Sequence, residues 1–465
     1  MSPLRFKIAE MQEDTIIAIS TPLGYGGLGI IRLSGANAID IAKKIFRPKR
    51  KGHKFPPRRA LLGNIYNSNK NEIFEEAYLI FFPAPRTYTR ENVIEISCHG
   101  SPVVLEEVVR LGIRAGARHA EPGEFTLRAF LNGRIDILQA EAIHDIIHAS
   151  SKKQAKISFH QLEGGLSKKL QSIRKQIIGM LSRIEVSLEF PEENLKISSK
   201  LIGKSLDRAI KSVHTLVESY NVGKTLTEGL TVALVGRTNV GKSTLFNTLM
   251  ERERSIVTPF PGTTRDYLQE KIKIKDSVFT LTDMAGLEKT THPAEQEGIK
   301  RGKKLALEAD GILLLLDASK KVNGEDIRLI KKFEEKNIVL LFNKSDLQQK
   351  MDIELLKKDY PNYAALEVSA LTGKNIPQLK DLMKEKFVPS SGKSDEIILH
   401  LRQKLLLESI HSSLKQGKKL LKDGYSEELY VEEIRKAVPL IGELTGEIRD
   451  DEILKEIFSR FCVGK

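Results

Sequence analysis

The spacing of apolar residues changes character along the chain. Over residues 1–120, short apolar runs (TIIAIS, GIIRLSG, EAYLIFF, NVIEISCHG) are interleaved with segments of helical period (NAIDIAKKIF, SPVVLEEVVRLGIRAG), which predicts an α+β domain. From 124 to 220 the period is helical. Leu138, Ala142, Ile143, Ile146 and Ile147 are expected on one helix face, and FPEE at 190–193 is expected to end a long helix at Pro191. Between about 229 and 388 apolar strands (TVALVG, ILLLLDAS, IVLLFNKSD) alternate with helices (STLFNTLM, NIPQLKDLMKEKF), and QEKIKIKDSVFTLTD reads as a hairpin. Such alternation predicts an α/β domain with a mostly parallel sheet. From about 393 the chain is helical again, as one helical domain interrupted by an insertion would leave it. The predicted domains are 1–120 (α+β), 121–225 (helical, first part), 226–388 (inserted α/β domain) and 389–465 (helical, second part).

Composition narrows the class. The 465 residues allow about three domains. Two cysteines, Cys98 and Cys462, cannot form a disulfide framework or a tetrahedral zinc site, which points to a reducing, cytoplasmic setting. No apolar stretch is long enough to span a bilayer, and MSPLRFKIAEMQEDTI has neither signal-peptide nor transit-peptide character. The net charge of +13 favours polyanionic partners or simply solubility.

The chemistry is concentrated in the third segment. The strand TVALV leads into GRTNVGKST, where Gly236, Gly241, Lys242 and Ser243 satisfy the phosphate-loop pattern. Glycines let backbone N–H groups close around phosphates, Lys242 reaches the β and γ oxygens, and Ser243 holds Mg²⁺. DMAG supplies Asp283 toward the Mg²⁺ shell and the Gly286 N–H toward the γ-phosphate. In NKSD, the Asp346 carboxylate matches the paired N–H donors of guanine, with Asn343 and Lys344 shaping the base pocket; Ser369 and Ala370 follow in VSA. Adenine lacks that donor pair, so the expected ligand is GTP. Thr263 and Thr264 in PGTTRD stand where a switch segment offers a hydroxyl to Mg²⁺. Leu287 occupies the position of the water-orienting glutamine of Ras-like enzymes, so another group must place the water. Glu295 is a candidate, or an ordinary exposed glutamate. Asn239 is either a loop-conformation residue or a ligand for a monovalent cation.

Other features carry less. Gly24, Gly26 and Gly29 have dinucleotide-fingerprint spacing, but a strand rather than a helix is predicted after them, so a Rossmann site is rejected. RPKRKGHKFPPRR at 47–59 is a solvated loop or a contact for RNA phosphates. Cys98 and His99 in SCHG read as a strand-end turn. Cys462 stands fourth from the end in FCVGK, yet Gly464 and Lys465 do not fit a prenylation signal. Ahead of it, Ile453, Leu454, Ile457, Phe458 and Phe461 mark one helix face, with Asp450 as N-cap. The thiol is expected just past the end of a fixed helix.

GYGGLGIIRLSG, YTRENVIEISCHG, EPGEFTLRAFLNGRIDILQAEAI, GRTNVGKST, PGTTRD, DMAG and FCVGK together resemble the MnmE (TrmE) family of tRNA-modification GTPases, over essentially the whole chain. The resemblance implies a folate-binding, dimerising N-terminal domain, and a helical domain interrupted by a Ras-like P-loop GTPase domain. It also implies a flavin-dependent partner, MnmG (GidA), in a heterotetramer or larger assembly. Together the two proteins would install an aminomethyl-type group at carbon five of the wobble uridine of certain tRNAs, from a 5-formyl- or methylene-tetrahydrofolate. The implied protein is a cytoplasmic homodimer without a membrane role. The competing readings are a ribosome-assembly or signalling GTPase acting as a binding switch, and a membrane-anchored GTPase.

Carried over by motif, Arg32, Glu95, Arg134 and Lys465 would contact the folate. Asn239, Thr258, Phe260 and Thr263 would surround K⁺, Ser243 and Thr264 would ligate Mg²⁺, and Glu295 and Cys462 would be catalytic. The implied GTP-binding set is Asn239, Val240, Gly241, Lys242, Ser243 and Thr244, then Thr258, Pro259, Phe260, Pro261, Gly262, Thr263 and Thr264. Asp283, Met284, Ala285, Gly286, Asn343, Lys344, Ser345, Asp346, Ser369, Ala370 and Leu371 complete it. The chain departs from the family at Arg90 and Asn92, where YTGED is usual, at DMAG, where DTAG is common, and at Arg134, where a lysine is also seen.

Overall fold

The computed structural model describes residues 14–49, 55–67, 72–189, 198–251, 269–283, 305–388, 397–448 and 451–464. The chain packs as two compact units. One comprises 1–144, 161–209 and 412–465; the other comprises 145–160 and 210–411.

The first unit contains a seven-stranded sheet in the order β3-β4-β5-β6-β2-β1-β7. The strands are β1 Ile16–Ile19, β2 Gly26–Ser34, β3 Phe46–Pro48, β4 Leu61–Asn67, β5 Glu72–Phe82, β6 Val93–Gly100 and β7 Arg118–His119. Helices Ala38–Ile45 and Pro102–Arg114 pack on one face, burying Ile17, Ile31, Leu33, Ile94, Ile96 and Leu105 among others. The glycine-rich segment enters strand β2 directly, with no helix immediately after it, in keeping with the rejection of a dinucleotide site. Cys98 and His99 lie within β6 rather than in a turn. The basic run is not simply a loop. Its start is edge strand β3, Arg47 stacks on Tyr66 at 4.6 Å and Lys49 pairs with Glu76, while residues 50–54 lie outside the described residues.

Helix Gly165–Glu189 packs against Glu427–Arg435 and Ala437–Thr445, so segments before and after the α/β portion share one core. Pairs Arg435–Glu185, Lys418–Asp207 and Arg174–Glu447 join the same segments. The first of these helices stops at Glu189, and Pro191 is outside the described residues. On helix Ile137–Ile147, Leu138 and Ala142 are buried and Ile143 and Ile146 half-buried, but Ile147 is exposed; Glu141 and Asp145 are buried instead. The apolar pattern missed this because Asp145 is satisfied by His400 Nε2 at 2.9 Å, which lowers the cost of burying it.

The second unit holds a six-stranded sheet, β13-β12-β11-β8-β10-β9. Its strands are β8 Leu230–Gly236, β9 Gln269–Ile274, β10 Ser277–Asp283, β11 Gly311–Asp317, β12 Ile338–Asn343 and β13 Ala364–Glu367. All pairs are parallel except the hairpin β9–β10. Every residue of β11 and β12 is buried, as expected for strands covered on both faces. Strand β13 and helices Gly324–Lys332 and Ile353–Asp359 add to the elements read from the sequence.

A buried charge network braces the first unit. Arg128, 2% exposed, donates to Glu124 Oε1 at 2.9 Å and to Glu91 Oε1 at 3.2 Å, and also pairs with Asp14. Arg118 donates to Glu124 at 2.6 Å and Asp14 at 2.7 Å. Three carboxylates thus share two guanidiniums, and the imbalance falls on one of them. Burial pushes the Glu124 and Asp14 carboxyls up, but the two arginines outweigh it and hold both below the usual range. At Glu91 burial prevails over Arg128 and Ser34, and the carboxyl is raised. Glu124 and Asp14 therefore contribute stability present above their unfolded values and lost as pH falls through the depressed folded ones. Glu91 contributes in the opposite sense, with stability lost as pH rises through its raised folded value. Glu124→Gln should lower unfolding free energy at pH 7 by about 3 kcal/mol, as expected when one partner leaves a buried pair. Glu91→Gln should change it by less than about 1 kcal/mol or raise it. Urea unfolding of both variants checks this, and equal losses would contradict it.

Candidate functional sites

In the second unit, strand register places the nucleotide residues at one end of the sheet. Asp317 pairs with Asn343 across β11–β12, Leu315 with Gly236 across β11–β8, and Asp283 with Leu234 across β10–β8. These are the carboxyl ends of parallel strands, where open α/β sheets bind ligands. The loop after β8 leads into helix Lys242–Glu251, whose N-terminal N–H groups suit phosphate. Lys242, 5% exposed, donates from Nζ to the carbonyls of Gly236 at 2.9 Å and Arg237 at 2.8 Å. Val240 is buried, whereas Asn239, Ser243 and Thr244 are exposed at the loop surface.

Asn343 ties the phosphate loop to the base loop. Its Nδ2 donates to the Val240 carbonyl at 2.7 Å, and its Oδ1 accepts from the Ala370 N–H at 2.9 Å. Gly241 has φ +97°, and a Cβ there would meet Asn343 Nδ2 at 2.2 Å, so both conformation and space require glycine. Ser345 N–H donates to the Val368 carbonyl, and buried Ser369 accepts from the Thr372 N–H, fixing the two base-side loops. Asp346 and Leu371 are exposed beside them. Lys344, with φ +65°, donates to Asp317 Oδ2 at 2.7 Å. Burial pushes the Asp317 carboxyl up, but Lys344 and Ser319 outweigh it and keep it below the usual range. Sequence reading gave Asp317 no role. Its signal was the acid ending the apolar run ILLLLD one strand away from NKSD.

The first unit brings together three of the four residues expected to contact folate, Arg32, Glu95 and Arg134. Arg32 and Glu95 are direct cross-strand partners on β2 and β6, and both Nε and Nη2 of Arg32 donate to Glu95 Oε1, at 3.0 and 2.8 Å. The Arg32 guanidinium lies 5.4 Å from the Tyr88 ring and that of Arg134 4.8 Å from it; Arg134 Nη1 also donates to the Tyr88 carbonyl at 2.8 Å. Tyr88, given no role from the sequence, is thus where the two arginines meet. Burial raises its hydroxyl pKa against the opposing bond to Thr126. A cleft of about 420 Å³ opens here, with Glu95, Tyr88 and Arg134 on its wall. Of the departures in YTREN, Arg90 adopts φ +63° and donates to the Asn132 carbonyl, and Asn92 Oδ1 accepts from the Ala84 N–H.

Helix Asp451–Ser459 buries Leu454 and Phe458, followed by Phe461, while Ile453 and Ile457 are half-buried. The segment after it docks on the same unit. Val463 bridges Pro122, the Gly123 N–H donates to the Cys462 carbonyl, and Ser20 Oγ donates to the Gly464 carbonyl at 3.1 Å. A Cβ on Gly464, which has φ +96°, would meet the Ile19 carbonyl at 2.0 Å. The Cys462 side chain is exposed, just past the end of this helix.

Thr258, Pro259, Phe260, Pro261, Gly262, Thr263, Thr264, Met284, Ala285, Gly286, Leu287, Glu295, Asp450 and Lys465 lie outside the described residues.

Two family models together cover most of the chain. A model described as the MnmE helical domain matches residues 137–462, and one described as the GTP-binding protein TrmE N-terminus matches 15–134. The chain belongs to the MnmE family. The tRNA modification GTPase MnmE of Aquifex aeolicus is 37% identical over 97% of this chain and 100% of its own length. That of Streptococcus pyogenes serotype M1 is 39% identical over 97% of this chain and 98% of its own. Among solved structures, Aquifex aeolicus Era bound to GDP·AlF4⁻ covers 40% of this chain and 66% of its own at 25% identity, with a TM-score of 0.29. An overlay that low adds nothing to the family match. The chain is accordingly a GTP hydrolase of the tRNA-modification class with a P-loop GTPase domain.

The two cysteines differ in reactivity. Burial, with Glu75 adding to it, pushes the Cys98 thiol up to about 12, whereas Cys462 is open to solvent. Iodoacetamide at pH 8 should therefore add one carbamidomethyl group to the native protein, at Cys462, and a second only after unfolding. Intact mass with peptide mapping reads this; comparable native labelling of Cys98 would contradict the burial.

Proposed function

We propose that the protein couples GTP hydrolysis to addition of a carboxymethylaminomethyl-type group at carbon five of the wobble uridine of certain tRNAs, using a tetrahydrofolate one-carbon unit and a flavin-dependent partner of the MnmG type. The observation that carries this reading is the convergence on Tyr88 of Arg134 and of Arg32 with its partner Glu95, beside a cleft large enough for a small-molecule ligand. A folate fits that donor set. Both Arg32 donors converge on Glu95 Oε1, leaving Oε2 to accept from pterin N–H groups, while arginines suit the carboxylate tail. When bound, the folate would supply a one-carbon unit. Lys465 would complete the contacts, and Cys462 would act as a thiol beside them, supported by the docking of its segment on Ser20 and Pro122–Gly123.

The domain plan is 1–120 for folate binding and dimerisation, 121–225 and 389–465 for one helical domain, and 226–388 for the inserted GTPase domain. Packing of helix Gly165–Glu189 on the helices of 427–445 supports it. In the GTPase domain, Lys242 would meet the β and γ oxygens and Asp346 the guanine edge. Ser243 and Thr264 would hold Mg²⁺. Asn239, with Thr258, Phe260 and Thr263, would hold K⁺, and Glu295 would position the attacking water. Exposure of the Asn239 and Ser243 side chains at the phosphate loop supports their two roles. The protein would act as a homodimer in the cytoplasm; among the described residues no helix is long and apolar enough to cross a membrane.

Nucleoside analysis of tRNA from a strain lacking the gene should show undermodified wobble uridines, restored by the wild-type gene and not by Cys462→Ser. Normal modification after deletion would overturn the reading, and restoration by the serine variant would remove the thiol from it. GTP hydrolysis should be faster in K⁺ than in Na⁺ at equal ionic strength, because the site around Asn239 discriminates by ionic radius. Equal steady-state rates would remove that cation role.

A further inference from the structure

The cleft around Tyr88 carries more positive charge than a monoglutamyl folate would use. Arg58, Arg86, Arg90 and Arg134 all line it, and the one acid on its wall, Glu95, is already paired with Arg32. Among the described residues none of the four has a carboxylate partner. Arg58 donates to the Arg86 carbonyl, Arg90 to that of Asn132 at 2.9 Å and Arg134 to that of Tyr88 at 2.8 Å. A guanidinium has five N–H donors, so one carbonyl leaves most of each fork unused.

The backbone gives a second, independent sign. Six non-glycine residues among those described have positive φ, and four are asparagines or lysines of the GTPase domain. The other two are Arg58 at +57° and Arg90 at +63°, both on this cleft. A left-handed conformation is unfavourable for a residue bearing Cβ, and glycine would relieve it. Both side chains are exposed, so packing does not account for a side chain at either position. Strain kept at the rim of a cleft points to use of the side chains there.

Resting on the folate reading above, we infer that the cleft takes a folate bearing additional γ-linked glutamates, whose carboxylates are held by Arg58, Arg86 and Arg90. A monoglutamyl tail offers a pair of carboxylates, and each added γ-glutamyl contributes one more. A triglutamate therefore matches the four guanidiniums in charge. Bidentate carboxylate–guanidinium contacts are the stronger kind of exposed ion pair, and several along one flexible tail act together.

Titration calorimetry with 5-formyltetrahydrofolate as the monoglutamate and the triglutamate tests this on the full-length protein. The triglutamate should bind about tenfold tighter in low salt, with the ratio shrinking as salt rises. In Arg86→Gln/Arg90→Gln the ratio should fall below about threefold, with Arg90→Lys retaining more of it than Arg90→Gln. Thermal unfolding and GTP hydrolysis of each variant establish that it is folded. Equal affinity of the wild-type protein for both folates would overturn this inference and leave the folate reading standing, whereas binding of neither would overturn both. Loss of tRNA binding in the double variant with the folate ratio intact would assign these cations to RNA phosphates and overturn the inference.

Discussion

One carboxamide holds the nucleotide site together. Asn343 sits at the end of a fully buried strand and bonds in two directions, to the loop that receives phosphates and to the loop that borders the base. Because the side chain is buried, each bond operates without competition from water, and losing either would strand a polar group. The phosphate loop, the base loop and the acid Asp317 thereby inherit their positions from the register of three parallel strands. The chemistry rests on an apolar core, since β11 and β12 could not present their last residues together if their leucines were not packed on both faces.

The first unit follows a different logic. Its sheet is antiparallel but for the short pairing with β7, and it is braced on one side by charge rather than by apolar contact alone. The segment containing Glu124, Phe125 and Arg128 serves several purposes. It carries the shared carboxylate of the buried network, the ring beside Arg32, and, at Pro122 and Gly123, the seat of the chain around Cys462. One short stretch thus links the proposed ligand residues to the exposed thiol.

Much of this was legible in the sequence because its signals are local. A strand followed by glycines, lysine and serine, an acid ending an apolar run, and period-2 or helical spacing can each be read without knowing what lies across the fold. What escaped was set by pairing across the fold. Ile147 was assigned to a buried face that Glu141 and Asp145 occupy instead, because His400 compensates Asp145 from far along the chain. Tyr88 gave no signal, since its place depends on two arginines from different elements. Cys98 and His99 were assigned to a turn, although β6 extends through them.

The bonds of Lys242 to the Gly236 and Arg237 carbonyls have a consequence for how nucleotide enters. The lysine props its own loop from within, so the curvature of the cradle does not depend on a ligand to form it. On the proposed role of Lys242, an arriving phosphate would exchange one set of acceptors for another at a charge already held in place. Entry would then be a swap of partners, with little ordering entropy set against affinity.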